Sequence, residues 1–460
     1  MKRSGLFLLA AVSLGLASAA NAGTRPHYGG TLRISVREAP ASLDPIDSSP
    51  AGISALPGLS RLIFDTLVTL DGRGQTQPAL STSWQADPGN QRWQFNLRRG
   101  VTFQDGTAMT SDAVAASLRV ANPNWKIFAA GEAVVVECDA STPNLPAVLA
   151  LPRYAIAKRG GGKLGGSGPF AINRWDPGKK LALIARDDYW GSRAYVDAIE
   201  IELGKSFHDQ MIALDLGLAD IVEVAPDQAR HAVVEGRRIE SSAPAEWMAL
   251  VFSHDIQSAE EAKWRDALAL SIDRAAINNV LLQGGGEPAA TILPNWLTGY
   301  AFLFPTLVDV QRARQMRSET RVGPGWSLAT DASDPLAKVI AARIGLNARD
   351  AGLVLLEPNT LPSNSKIPDI RLVRMPLPSL DARVALSELA ASLGLPSPRF
   401  DGDPAYSLYA AESALLQSRR VIPLLHVRAA TALSANVMGW HEDADGAWHL
   451  PDVWLEAGKP

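Results

Sequence analysis

The 460-residue chain carries 44 basic and 48 acidic side chains for a formal charge of -4, is 47% hydrophobic, and holds 12 Trp against a single Cys. That composition belongs to a globular chain long enough for about three structural units, and it excludes a disordered, collagenous or disulfide-stapled protein. With no basic excess, a nucleic-acid partner is not expected.

At the N-terminus, Lys2 and Arg3, an apolar run from Leu6 to Leu16, and Ala20-Asn21-Ala22 form the three-part pattern of a secretory signal over residues 1–22. The apolar run is shorter than the roughly 20 residues a membrane span needs. A periplasmic protein is therefore expected. Cys138 lies far from the point after Ala22 where an acyl anchor would need a cysteine, so a lipid anchor is not expected. Its setting, Ala133 to Cys138, reads as a buried strand rather than a reactive thiol.

Thr31 to Val36 reads as a strand, and Leu59, Leu62, Ile63, Thr66 and Leu67 fall at helical spacing. Trp93, Phe95 and Leu97 alternate, Arg99-Gly100 signals a turn, and Val101 and Phe103 alternate again, which predicts a hairpin. Thr110-Ser111-Asp112 offers a cap for a helix through Leu118. The glycine-rich stretch Lys158 to Gly168 is expected to be loop, followed by strands at Leu181 to Ile184 and Ile199 to Leu203. A helix from Phe207 to Leu216 leads to a strand at Ala219 to Ala225, and Glu246 to Phe252 is a further apolar run. Ala262 to Leu282 reads as one long helix stopped by Gly284-Gly285-Gly286. Helix then strand is expected over 335–356 and again over 405–425, with another helix over 381–394, so the second half reads as α/β.

Several catalytic patterns fail. Gly160 to Leu164 lacks the Ser or Thr that follows the Lys of a phosphate loop. Gly166-Ser167-Gly168-Pro169 is no nucleophile elbow, because Pro169 replaces the last glycine. The seven histidines form no i, i+4 pair. His441-Glu442-Asp443 with His449 has metal-ligating groups, but a solvated polar loop is the reading preferred, and no metal, cofactor or enzymatic activity is expected.

Four segments, in order, resemble the extracellular solute-binding proteins of family 5, the peptide and nickel class that serves ABC importers. They are Gly30 to Ser35 with Ser42-Leu43-Asp44-Pro45; Trp93 to Val114; Gly166 to Phe170 with Asp188 to Gly191; and Trp264 to Ile277. The resemblance implies an α/β, two-lobed fold of the type II periplasmic binding proteins, with the extra subdomain of their cluster C. Lobe one is expected over 23–243, with the extra subdomain near 72–160, lobe two over 244–424, and a C-terminal return over 425–460. It further implies a monomer that encloses a small polar solute, peptide-like or opine-like, and delivers it to an ABC permease in the inner membrane.

Ligand contacts in this family come from cleft loops, and the matching places here give Glu38, Trp247, Phe252, Trp296 and Arg374 as candidates. Glu38 suits a cationic or hydroxylated group, and Trp247, Phe252 and Trp296 suit as aromatic walls. Peptide-binding members hold the ligand's α-ammonium with an acid in a late Trp-rich stretch. The comparable stretch here, Asp369 to Pro378, offers Arg374 instead, so a free-peptide ammonium would lack its partner. Arg374 is expected either to receive a carboxylate or phosphate or to lie on the surface. The alternative function is an exported sensor or protein-interaction module that keeps the fold without transport.

Overall fold

The computed structural model describes residues 25–47, 56–160, 163–300, 306–321, 325–331, 334–356, 367–444 and 446–456. The secretory pattern of residues 1–22 lies outside them.

Leu32 and Ile34 alternate into a core, so Thr31–Ser35 forms a strand, pairing in parallel with Ala198–Glu202 on one side and Ile221–Val224 on the other. These strands belong to an 11-stranded sheet. In space it runs Phe170–Asp176, Lys180–Ala185, Ala198–Glu202, Thr31–Ser35, Ile221–Val224, Val421–Leu433, Arg238–Phe252, Ile370–Pro376, Trp326–Ala329 and Leu355–Leu356, and Gly286–Pro288 pairs with Val421–Leu433.

Two long antiparallel strands, Arg238–Phe252 and Val421–Leu433, join the halves of this sheet. Arg238 to Ser241 lie opposite Leu433 to Ala430, beside Ile221–Val224; Trp247 to Val251 lie opposite His426 to Val421, beside Ile370–Pro376. Between these stretches the register shifts on both sides of Pro244. Proline has no N–H to give the ladder, and an irregular register bends a strand, so the sheet turns here from one lobe into the other.

Each lobe has its own core. In the first, Leu32, Ile34, Phe170, Leu183 and Ile199 pack together. In the second, alternation along Arg238–Phe252 sends Met248, Leu250 and Phe252 to one face and Trp247, Ala249 and Val251 to the other. A separate four-stranded sheet, in the order Ser81–Ala86, Arg92–Leu97, Ala133–Glu137, Lys126–Ala130, packs Phe95, Val134 and Val136 against Val114, Ala115 and Leu118 of the helix Ser111–Ala121. Thr110 caps that helix through the Ala113 N–H at 3.2 Å. Cys138 is buried in the same core, and burial pushes its thiol pKa up, so it stays protonated.

Beside this sheet, the first lobe also touches the second. Arg153 pairs with Glu388 (Nη2–Oε1 2.7 Å), Val384 enters the core of the small sheet, and Gly74, at φ +72°, abuts the Leu380 carbonyl so closely that a Cβ has no room.

Three expectations need correction. Lys158–Gly160 and Lys163–Gly165 pair as two short antiparallel strands rather than forming a loop, because glycine weakens a strand without removing its ladder N–H and C=O. Val101 to Phe103 does not return along Arg92–Leu97, which instead lies between Ser81–Ala86 and Ala133–Glu137; Thr102 bridges Ala108. The long helix from Ala262 breaks after Ser271, because the Asp273 side chain accepts the Ala276 N–H at 2.8 Å and caps a new helical turn. Among the described residues, no helix is long and apolar enough to cross a membrane.

Candidate functional site

Where the sheet turns between lobes, charged side chains meet from both. Glu246 opens the apolar half of Arg238–Phe252, and Arg374 stands two places along the antiparallel neighbour, opposite Met248. On an antiparallel ladder this diagonal brings long side chains together. Arg374 Nε donates to Glu246 Oε2, with the two side chains only 20% and 8% exposed. Asp334, the N-cap of Pro335–Asp350, lies 3.9 Å from the same guanidinium. Burial opposes the charge on Arg374, but the Glu246 carboxylate, with Asp334 and Glu223 further off, outweighs it and holds the pKa above the ordinary guanidinium value. Arg374 is therefore a fixed cation that is already paired, neither a free anion receptor nor a surface residue.

The first lobe answers with Arg37 and Glu38, which follow the C-terminal end of Thr31–Ser35, the end of a parallel strand where α/β sheets place their ligands. Arg37 Nη2 donates to Glu38 Oε1 at 3.2 Å, and the Arg37 backbone N–H donates to Glu223 Oε2 at 2.5 Å. Gln210 fixes Glu223, donating to its carboxylate at 3.1 Å and accepting from its N–H at 2.8 Å. Burial raises the pKa of the Glu38 carboxyl; Arg37 pulls it back, and Glu223 and Asp331 push it further up. Burial likewise raises Glu223, against the pull of the Arg37 N–H and Gln210. Two carboxyl groups held this way gain from an added cation or hydrogen-bond donor.

Between the lobes lies a cavity of about 300 Å³. Glu38, Glu246, Asp331 and Asp334 line it against Arg37, Arg371 and Arg374, with Met248 and Leu372 as apolar wall. A second space of about 460 Å³ adjoins it, sharing Asp334 and Arg374 and reaching Phe207 and Gln228 of the first lobe.

Of the five residues singled out by sequence, Glu38 and Arg374 come together here. The aromatic candidates do not. Trp247 and Phe252 sit on opposite faces of one strand because five residues separate them, an odd step on a period of two. Phe252 is fully buried under the Arg265 guanidinium, 4.0 Å from its ring centroid, and edge-on to Trp326. Trp247 packs among Ile292, Leu293 and Met375, and its indole N–H meets no acceptor among the described residues. Trp296 is partly exposed on the short helix Asn295–Thr298, its N–H donating to the Pro244 carbonyl at 3.3 Å beside the register shift. Sequence reasoning missed Arg37, Glu223, Glu246 and Asp334. A charge heading an otherwise apolar strand was the available signal for Glu246. Away from this site, one group of metal-ligating type occurs among the described residues: His441, His449 and Asp452.

Comparison with known proteins places the fold. The model of the bacterial extracellular solute-binding proteins, family 5 (middle region), matches residues 75–364. Among curated proteins, the chain is 34% identical over 177 residues to the uncharacterized protein YhjP of Bacillus subtilis, covering 35% of this chain and 30% of that one. It is 22% identical over 327 residues to the probable D,D-dipeptide-binding periplasmic protein DdpA of Escherichia coli, covering 63% and 61%. The matches thus span less than two thirds of those relatives. Among solved structures, NikA of Staphylococcus aureus with Ni(L-His)2 superposes at TM-score 0.78, 17% identity, over 93% of this chain and 100% of that one. AgaA of A. tumefaciens R10 with agropinic acid superposes at 0.76, 19% identity, over 94% and 99%, so the two-lobed cluster C architecture holds over nearly the whole chain. The chain belongs to the bacterial extracellular solute-binding proteins of family 5, a family that binds solutes without transforming them.

Proposed function

We propose that this protein is the periplasmic receptor of an ABC importer, closing its lobes on a small polar solute and presenting it to a permease. The observation that carries the reading is the cavity between Glu38 of one lobe and Arg374 of the other, lined by charges from both. A solute touching both sides stabilises the closed arrangement over the open one, and that difference is the signal a permease reads.

The cavity's size and charge narrow the ligand. At about 300 Å³, with the adjoining space of about 460 Å³, it falls within the range of small-molecule sites, which suits a compact solute better than an extended peptide. Arg374 is neutralised by Glu246, whereas Arg37 only partly offsets the burial of Glu38, which favours a ligand nitrogen or hydroxyl donor beside that carboxyl group. A peptide-like or opine-like solute with its amino end toward Glu38 supplies one.

Native mass spectrometry of protein purified without refolding, followed by thermal-shift panels of dipeptides, opines and metal chelates, tests this. The expected result is a bound small molecule, or a shift from one class, that Glu38→Gln weakens about tenfold or more. No ligand from any class, together with turnover of a substrate, would overturn it.

A further inference from the structure

The cluster His441, His449 and Asp452 is not used by the cleft, and its geometry points to a second site: we infer that the hairpin around residues 441–452 binds a borderline transition-metal dication. The inference does not depend on which solute the cleft takes.

The backbone builds the cluster. Glu442 and Trp448 form an antiparallel bridge, so His441 and His449 stand directly opposite each other, and the His449 N–H donates to the His441 carbonyl at 3.3 Å. Side chains directly opposite on an antiparallel pair leave from the same face. Their rings stack with centroids 4.4 Å apart. Directly after His449, the 3-10 turn Leu450–Asp452, with Pro451 inside it, brings a carboxylate back to the same place, where His449 Nδ1 and Asp452 Oδ2 lie 2.9 Å apart. One donor atom from each of the three residues falls within 4.8 Å of the others. Ligand atoms around zinc sit about 3.3 Å apart, so small side-chain rotations complete a three-ligand set.

Neighbouring residues hold the hairpin in place. Gly446, at φ +83°, closes its turn onto the Asp443 carbonyl at 2.9 Å, and Trp448 packs into the first lobe's core. Asp443, another nearby acid, is engaged by Arg61 at 2.9 Å and lies outside the three-residue group. Two imidazoles and one carboxylate suit Zn²⁺, Ni²⁺ or Cu²⁺ rather than Mg²⁺ or Ca²⁺. His449 and Asp452 also line a cavity of about 700 Å³, so the remaining coordination positions are open to water or a small chelating solute.

Isothermal titration of Zn²⁺ into tag-free protein tests the site. One equivalent is expected to bind, about tenfold or more weakly in His441→Ala and in His449→Ala and unchanged in His231→Ala, an exposed histidine paired with Glu235 elsewhere. No zinc binding, or equal affinity in all three variants, overturns the inference. Electron paramagnetic resonance of the unmodified protein with one equivalent of Cu²⁺ removes any dependence on variant folding: two nitrogen donors support the site, and none or one refutes it.

Discussion

Glu246 is a carboxylate at the head of a run of buried apolar residues, and Arg374 is what makes it tolerable there. Removing one member of such a pair leaves the other uncompensated. Arg374→Ala is expected to destabilise the protein by about 3–5 kcal/mol in urea unfolding, whereas Arg374→Met combined with Glu246→Leu should restore most of that loss. Equal destabilisation by the single and double variants would show that the pair is not the cause. His426 gives a pH signature. It is buried, its Nε2 hydrogen bonds to the Ile292 carbonyl at 3.1 Å, and burial lowers its pKa to about 4. In the unfolded chain the imidazole titrates near 6.5. Between those values the unfolded state takes up a proton that the native state refuses. Stability is therefore whole above about pH 6.5 and falls as pH drops toward 4, by about 3 kcal/mol in all. His426→Gln should flatten that part of the stability profile, and an unchanged slope would place the proton elsewhere. Residues of this kind are poorly legible in sequence. Glu38 was found because it follows a recognisable strand, but the partner that buries Glu246 lies 128 positions away and is brought close only by the ladder.

Elements whose signals are local were easier to read. Thr110 was recognised as a cap, and Ser258 caps Ala259–Ser271 in the same way, its hydroxyl accepting the Glu261 N–H at 3.1 Å. Ser258→Ala should cost about 1 kcal/mol in thermal or urea unfolding, and no change would mean that the exposed N–H finds water as good a partner. Reading failed where two local signals compete. From Ala262 onward the apolar spacing continues as a helix, but Asp273 offers its own backbone neighbours a better partner and the helix restarts. The hairpin error at Val101 had a different source. Alternation identifies a strand and leaves its neighbour unspecified, and Arg92–Leu97 pairs with Ala133–Glu137, whose position depends on the intervening helix. Trp247 and Phe252 are the opposite case: their odd spacing on one strand already puts them on different faces, and they could not have formed one aromatic wall.

For the whole molecule, the resemblance carried the two-lobed plan, and the structure adds how the lobes are held. Besides the two crossing strands they meet where Arg153 pairs with Glu388 beside Val384 and Gly74. This contact is made outside the crossing strands, so it resists lobe separation in addition to them. Arg153→Ala is expected to raise the radius of gyration of the ligand-free protein in small-angle scattering and to leave that of the liganded form unchanged. An identical scattering profile for variant and unmodified protein would show that the crossing strands alone set the spacing.

The order of strands in the large sheet also bears on when the chain can fold. Thr31–Ser35 enters the sheet near the start of the chain, yet Ile221–Val224 beside it gains its outer neighbour only from Val421–Leu433. The first lobe's sheet therefore stays open along one edge until nearly all of the chain is available, and pairing across such long sequence separations is slow. In a chain that emerges stepwise, the four-stranded sheet has all its strands by Glu137, whereas the large sheet that both lobes share must wait for its last long strand to close.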